Sequence, residues 1–186
     1  NRISEIERIE TKKGTELLSE SKINYSNNFA GNQSFLPITI EVKKGQFQSE
    51  VRLRNNLYDE FGHVLEVEQE NGVKICYIYG YNKTQPIAKI ENATYSSIES
   101  QVSNLQSISN SGSEAELITA LSELRNSLPN EMVTTYTYIP LIGVSTITDP
   151  KRDKITYFYD NFGRLQTVKD KEGNVLSENQ YNYRPN

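Results

Sequence analysis

The sequence of 186 residues contains no tryptophan, one cysteine, one histidine and one methionine. The single cysteine, Cys76, excludes an internal disulfide framework and a zinc site built from cysteines. The single histidine, His63, excludes a multi-histidine metal centre, and a Ser-His-Asp relay would have to use that residue. The sequence therefore predicts a protein without enzymatic activity, bound metal or cofactor.

The net charge is also small, and the apolar runs are short. Lysine and arginine number 20 against 24 aspartate and glutamate residues, so the net charge is −4. A mildly acidic chain without a basic block argues against nucleic acid or an anionic membrane surface as a partner. No apolar run approaches the roughly 18 residues of a membrane span. Because the chain begins with Asn1 and not with methionine, we expect a piece of a longer protein or a trimmed mature form.

Tyrosine, in contrast, is abundant, with 12 residues, while hydrophobic residues make up only 35% of the chain. Tyrosine buries a large ring and keeps a polar hydroxyl at its tip. This composition favours a thin, partly hydrated sheet over a thick, dry core.

A repeated motif is the strongest pattern in the chain. Residues 58–62 read YDEFG and residues 159–163 read YDNFG, and a second glycine follows each motif glycine after ten residues. A third, degraded copy is centred on Gly143. Aspartate and glycine favour the first and last positions of a turn, and the runs between the turns are rich in β-branched and aromatic residues. The residues that we assign to this structural motif are Tyr58, Asp59, Gly62, Gly72, Gly143, Tyr159, Asp160, Gly163, Arg164 and Gly173.

Residues 95–128 break the strand pattern, because their apolar residues recur at helical gaps of three and four. Ser113 followed by Glu116 is a capping-box pattern, and Pro129 ends the second helix. Between the helices we predict a loop over Ser109–Gly112. The stretch therefore predicts an antiparallel helical hairpin that covers one face or an edge of the sheet.

The predicted fold is mainly β, with antiparallel β-hairpin repeats that form a curved sheet and an inserted antiparallel helical hairpin. The predicted segments are N-terminal β-hairpins over 1–56, a YD-type β repeat over 57–93, the helical hairpin over 94–132 and YD-type β repeats over 133–186.

Three residue types could carry chemistry, and each also has a structural interpretation that we favour. His63 lies near Asp59 and could act as a general base, but it also follows a turn glycine. Asp59 and Asp160 could be paired catalytic carboxylates, yet their fixed spacing to glycine suits turn capping. Cys76 lies in an apolar strand, where a lone cysteine usually behaves as a small buried hydrophobic residue.

Several tyrosines recur at a spacing of two, which places each set on one face of a strand. They could form an aromatic platform that binds a ligand, or they could stack on neighbouring strands as structural pairs. The candidate ligand-binding residues are Tyr77, Tyr79, Tyr81, Tyr157 and Tyr159.

The stretch 159–165, which reads YDNFGRL, resembles the signature of the YD-repeat or RHS-repeat proteins. The upstream copy departs from this signature, since His63 and Val64 stand where the family has arginine and leucine. The resemblance covers about residues 57–95 and 133–183.

The resemblance implies long strips of β-hairpins that spiral into a hollow shell around a functional C-terminal segment, such as a toxin. It implies a non-catalytic structural segment of a large bacterial protein that is secreted or lies on the cell surface. The main partner would be the rest of its own longer chain. The family's self-cleaving element lies after the repeats and has no match here, so no catalytic residue is carried over.

The alternative is a carbohydrate-binding or adhesion module that uses exposed tyrosines, with glycans or another protein as partner. A strip of this kind would also have unpaired edge strands, which allow edge-to-edge self-association.

Overall fold

The computed structural model describes residues 5–27 and 35–181. The remaining parts of the predicted 1–56 and 133–186 segments lie outside the described residues. Within the described ranges the chain is mainly antiparallel β, with twelve strands and two helices between the seventh and eighth strands. This result confirms the predicted fold class of antiparallel hairpins with an inserted helical hairpin.

The strands are β1 (Arg8–Lys13), β2 (Glu16–Ser26), β3 (Leu36–Lys44), β4 (Glu50–Tyr58), β5 (Val64–Gln69), β6 (Lys74–Gly80), β7 (Gln85–Glu91), β8 (Met132–Ile139), β9 (Gly143–Thr148), β10 (Lys154–Tyr159), β11 (Leu165–Lys169) and β12 (Val175–Glu178). The helices are α1 (Tyr95–Ser111) and α2 (Glu114–Ser127). Strand order in the sheet follows chain order from β1 to β12. Short turns between antiparallel neighbours produce this order directly.

Four motif glycines lie in turns and adopt the left-handed backbone conformation. Their φ angles lie between 74° and 88°, and each donates its amide to the carbonyl three residues earlier. Glycine adopts this conformation without the steric cost that a side chain would add. The four residues are Gly62, Gly72, Gly163 and Gly173.

Gly143 is different, and the prediction that it marks a turn is wrong. It is the first residue of β9, and the preceding turn is closed by the Ile142 amide, which donates to the Ile139 carbonyl at 3.1 Å. A Cβ atom at Gly143 would lie 2.6 Å from the hydroxyl oxygen of Tyr159. Glycine at this position therefore makes room for the Tyr159 ring.

The chain divides into two compact units, which are Asn1–Tyr77 with Glu91–Tyr95 and Ile78–Ile90 with Ser96–Asn186. Each unit has its own buried apolar side chains. Those of the first include Leu36, Tyr58, Val67, Ile75 and Cys76. Those of the second include Ile87, Ile98, Leu117, Leu121, Leu124 and Val133.

In the second unit the leucine-rich face of α2 is buried, and α2 packs against β8. The predicted capping box starts this helix, since the Ser113 amide donates to Glu116 Oε2 at 2.7 Å and the Glu116 amide donates to Ser113 Oγ at 3.3 Å. The loop predicted over Ser109–Gly112 is wrong for its first three residues, because α1 continues to Ser111. Ser109 is buried there and accepts the Tyr81 amide at 3.0 Å.

Arg125 ties α2 to two strands of the second unit. Its Nη2 donates to the Thr148 carbonyl at 3.1 Å and to the Thr135 hydroxyl at 3.3 Å. Burial, reinforced by the charge of Arg152, lowers the pKa of this guanidinium. The helix is thus held by polar contacts to the sheet as well as by its apolar face.

Candidate functional site

The aspartates of the two motif copies each organise a hairpin turn. Asp160 Oδ1 accepts the amides two and four residues later, at 2.9 and 3.0 Å, and Oδ2 accepts Arg164 Nε at 2.7 Å. Asp59 Oδ1 accepts the corresponding amides at 2.9 and 2.8 Å, and His63 Nδ1 lies 2.9 Å from Oδ2. His63 therefore occupies the position that Arg164 has in the other copy.

This correspondence bears on the two candidate chemical roles. In the other copy, Arg164 makes the equivalent contact with its turn aspartate. The His63–Asp59 contact therefore has a structural explanation. The hydrogen bond from Arg164 lowers the pKa of Asp160, as a stable ion pair in a turn does. Asp59 belongs to the first unit and Asp160 to the second, and each carboxylate is engaged in its own turn.

Two further turns follow the same plan; the turn at Gly173 was predicted from the sequence, whereas the roles of Asp170 and Asp149 were missed. Asp170 Oδ1 accepts the amides of Glu172 and Asn174 at 3.0 and 2.8 Å. Asp149 Oδ1 accepts the Asp153 amide at 2.8 Å. Arg152, with a φ angle of 70°, stands in this turn where the others have glycine. The Asp-x-x-Gly spacing that ends at Gly173 would also have identified Asp170, whereas the second turn lacks the glycine.

Several tyrosine hydroxyls donate hydrogen bonds to backbone carbonyls of neighbouring segments of the chain. Tyr159 donates to the Val144 carbonyl at 2.9 Å, and Tyr58 donates to the Pro37 carbonyl. The same type of bond joins Tyr25 to Ile6, Tyr138 to Pro86 and Tyr181 to Leu165. In the two intact Tyr-Asp pairs, the aspartate shapes the turn and the tyrosine holds the strand before it.

Replacing Tyr159 with phenylalanine should therefore lower the free energy of unfolding by about 1 kcal/mol, because a part-buried hydrogen bond is lost. Tyr157→Phe is the matched control, since the Tyr157 hydroxyl has no hydrogen-bond partner among residues 5–27 and 35–181. Urea denaturation of both variants measures the difference. Equal stability of the two variants would show that the Tyr159 hydroxyl does not fasten the strand.

The candidate ligand-binding tyrosines belong to both units and differ in their surroundings. Tyr77 belongs to the first unit, and the other four belong to the second. On β6, Tyr77 and Tyr79 are half-buried and alternate with the buried residues Cys76 and Ile78. The hydroxyl of Tyr159 is engaged in the sheet, and Tyr81 lines a cavity in the second unit.

Cys76 is fully buried, and its thiol donates to the Ala93 carbonyl at 3.1 Å. Burial, followed by the charge of Glu66, raises the pKa of this thiol to about 12. The reactive form of cysteine is the thiolate, so a thiol with this pKa is a poor nucleophile. These surroundings agree with the interpretation of Cys76 as a small buried hydrophobic residue.

A cavity of about 970 Å³ lies within the second unit. Its walls come from the turn between β6 and β7, the junction of α1 and α2, and the turn between β8 and β9. The sequence contained one signal for it, the run Pro140–Ile142, whose apolar side chains stand in a turn. Tyr138 and Glu114 also line the cavity, and neither was among the candidate ligand-binding residues.

Across the part of the chain that the structure describes, no three His, Cys, Asp or Glu side chains are grouped as metal ligands. In the same ranges, neither helix combines the length and apolar character that a membrane crossing requires.

No protein-family model matches the chain, and a search of the curated proteins finds no significant similarity.

Proposed function

We propose that this chain is a non-catalytic structural segment of a large YD-repeat protein that is secreted or displayed on the cell surface. In this role it contributes hairpins to a shell that encloses or presents a C-terminal toxin domain. The observation that carries the proposal is the shared geometry of the Tyr-Asp pairs. At Asp59 and Asp160 the side chains that could do chemistry are used to close turns.

The two edges of the sheet support this role differently. In β1, charged side chains alternate along the strand and the pairing with β2 contains a bulge after Thr11. These features protect an edge strand from unwanted pairing. In β12, all four residues are exposed, and the first two, Val175 and Leu176, are apolar and each 56% exposed. The β12 edge is therefore the better acceptor for a further strand.

Self-association of the isolated chain tests this proposal. We expect light scattering to show a mass that rises with protein concentration, and Leu176→Lys to return the protein to the monomer because a lysine protects an edge strand. Phe47→Lys is the matched control, since Phe47 is 78% exposed in the turn between β3 and β4. Amide exchange of β12 should slow with concentration in the wild type.

A wild-type chain that stays monomeric at every concentration, with rapid exchange in β12, would contradict the scaffold role. A complete reading frame without further Asp-x-x-Gly hairpins beside this segment would contradict the kinship with YD-repeat proteins.

Carbohydrate binding is the second candidate, and one observation favours it. The hydroxyls of Tyr77 and Tyr157 have no hydrogen-bond partner among the residues that the structure describes, and both rings are partly exposed. A glycan array with the wild type and with Tyr77→Ala and Tyr157→Ala separates the two candidates. Binding that both variants abolish supports the module, and an empty array supports the scaffold.

A further inference from the structure

The cavity of the second unit has one polar wall and one apolar wall. The polar wall carries carboxamides and hydroxyls, among them Asn82, Gln85 and Asn110. The apolar wall is the turn Pro140–Ile142, in which Leu141 is fully exposed and Ile142 is 44% exposed. A ligand that fits both walls needs hydrogen-bond donors at one end and an aliphatic body along the other.

The charge of the cavity comes from a single residue. Glu114 is the only ionisable acid or base among the lining residues apart from tyrosine, and no lysine or arginine lines the cavity. Its Oε1 accepts the Thr137 hydroxyl at 2.7 Å, which fixes the carboxylate. Among residues 5–27 and 35–181, no cation forms an ion pair with Glu114. The cavity is thus suited to a cation and unsuited to an anion.

Two tyrosine rings also line the cavity. Tyr81 and Tyr138 meet edge to face, with ring centroids 5.4 Å apart, and the Tyr138 amide donates to the Tyr81 hydroxyl at 3.0 Å. Burial raises the pKa of Tyr81, and the charge of Glu114 raises it further, so this carboxylate acts on the phenol. Uncharged tyrosine rings attract ammonium and guanidinium groups through their faces.

The backbone around the cavity is strained in two of its walls. Tyr81, Asn82 and Leu141 have φ angles of 50°, 57° and 64°, in the left-handed region that side chains disfavour. Leu141 combines this conformation with full exposure, so its side chain gains no burial in return. Left-handed residues close hairpin turns, and in this turn they leave the Leu141 side chain available to contact a ligand.

From these observations we propose that the cavity binds an alkylammonium group, either a lysine side chain of a peptide or a free aliphatic diamine. The ammonium pairs with Glu114 beside the ring of Tyr81, and the methylene chain lies along Leu141 and Ile142. This site is independent of the scaffold role, because none of its residues belongs to β12 or to the Asp59 and Asp160 turns.

The test uses the full chain and two probes, 1,6-diaminohexane and N-acetyl-lysine methylamide, in calorimetric titrations at low salt. Binding of the diamine alone identifies the free amine as the source, and binding of both identifies a lysine side chain as sufficient. The uncharged 1,6-hexanediol and the anion hexanoate are the control ligands, and neither should bind.

Glu114→Gln should weaken binding about tenfold, because a hydrogen bond to a charged group is lost. The amide oxygen of glutamine still accepts the Thr137 hydroxyl, so the fold is retained. Glu123→Gln, an exposed acid on the same helix, is the matched control and should bind like the wild type.

Leu141→Asn separates binding from folding. Asparagine tolerates the left-handed conformation better than leucine, so this variant should unfold at a higher temperature and yet bind the diamine more weakly. The proposal is overturned if hexanediol binds as well as the diamine, if Glu114→Gln leaves the affinity unchanged, or if neither amine binds.

Discussion

Replacing Glu66 with leucine is expected to lower the free energy of unfolding by about 2 to 4 kcal/mol, because a buried charged hydrogen-bond acceptor is removed from part-buried donors. Glu66 is 8% exposed and accepts three donors. The Tyr95 amide donates to Oε2 at 2.8 Å, and Asn56 and Lys74 contact Oε1 at 3.1 and 3.2 Å. Tyr95 is the first residue of α1, whose opening amides need acceptors from outside the helix.

The matched control is Glu70→Leu, because Glu70 follows β5 on the surface and pairs with the exposed Arg52. An exposed ion pair of this type contributes at most about 1 kcal/mol. Urea denaturation should therefore separate the two variants clearly. A Glu66→Leu variant as stable as Glu70→Leu would mean that the Tyr95 amide finds another acceptor.

The same carboxylate predicts a pH dependence. Burial opposes the charge on Glu66, but the hydrogen bond from Tyr95, with those from Asn56 and Lys74, outweighs it and holds the pKa below its ordinary value of 4.5. A carboxyl whose pKa is lowered by folding stabilises the protein above the unfolded-state pKa, and this stabilisation is lost as the pH falls through the folded-state pKa. The wild type should therefore lose stability below about pH 4.5 more steeply than Glu66→Gln. Parallel stability curves for the two proteins would rule out this role.

Replacing Gly80 with alanine is expected to lower the free energy of unfolding by about 1 to 3 kcal/mol through overpacking. A Cβ atom at this position would lie 2.5 Å from Ser109 Oγ and 2.8 Å from Ile87 Cγ2. Both neighbours are buried, so neither can move aside freely. Since Ser109 also accepts the Tyr81 amide, the substitution should disturb the cavity wall as well.

Gly14→Ala is the informative comparison, because Gly14 has φ 60° and a Cβ atom there would meet no other atom within 4 Å among the described residues. That variant measures the cost of left-handed backbone alone, about 1 to 2 kcal/mol. Gly80 has no such φ angle, so its cost comes from packing. A Gly80→Ala variant as stable as the wild type would show that close packing of Gly80 against Ser109 is not the reason for glycine there.

How much could be predicted depends on the distance along the chain between interacting groups. The turn at Asp160 joins an aspartate to amides two and four residues later, so its geometry was predictable from a five-residue motif. The capping box joins Ser113 to Glu116, and it was predictable for the same reason. The helical hairpin followed from apolar residues at helical gaps, which a strand cannot place on one face.

Gly143 shows where this reasoning fails. It continued the glycine spacing of the repeat, yet the atom that forbids a side chain there is the Tyr159 hydroxyl, which belongs to the neighbouring strand. The prediction of a loop at Ser109 failed for a related reason. Its polarity favoured a loop, but Ser109 belongs to α1 and is buried against Gly80. In both cases the deciding partner is remote in sequence.

The sequence alone determined the alternation of strands and turns, the place of the two helices and the structural use of aspartate at the turns, because these depend on hydrogen bonds and periodicities within a few residues. Only the tertiary structure decided that Glu66 meets the Tyr95 amide 29 residues away, that tyrosine hydroxyls reach backbone carbonyls on other strands, and that Glu114 lines a cavity beside Tyr81 and Tyr138. Those contacts depend on strand order and register, which bring together side chains that no local pattern relates.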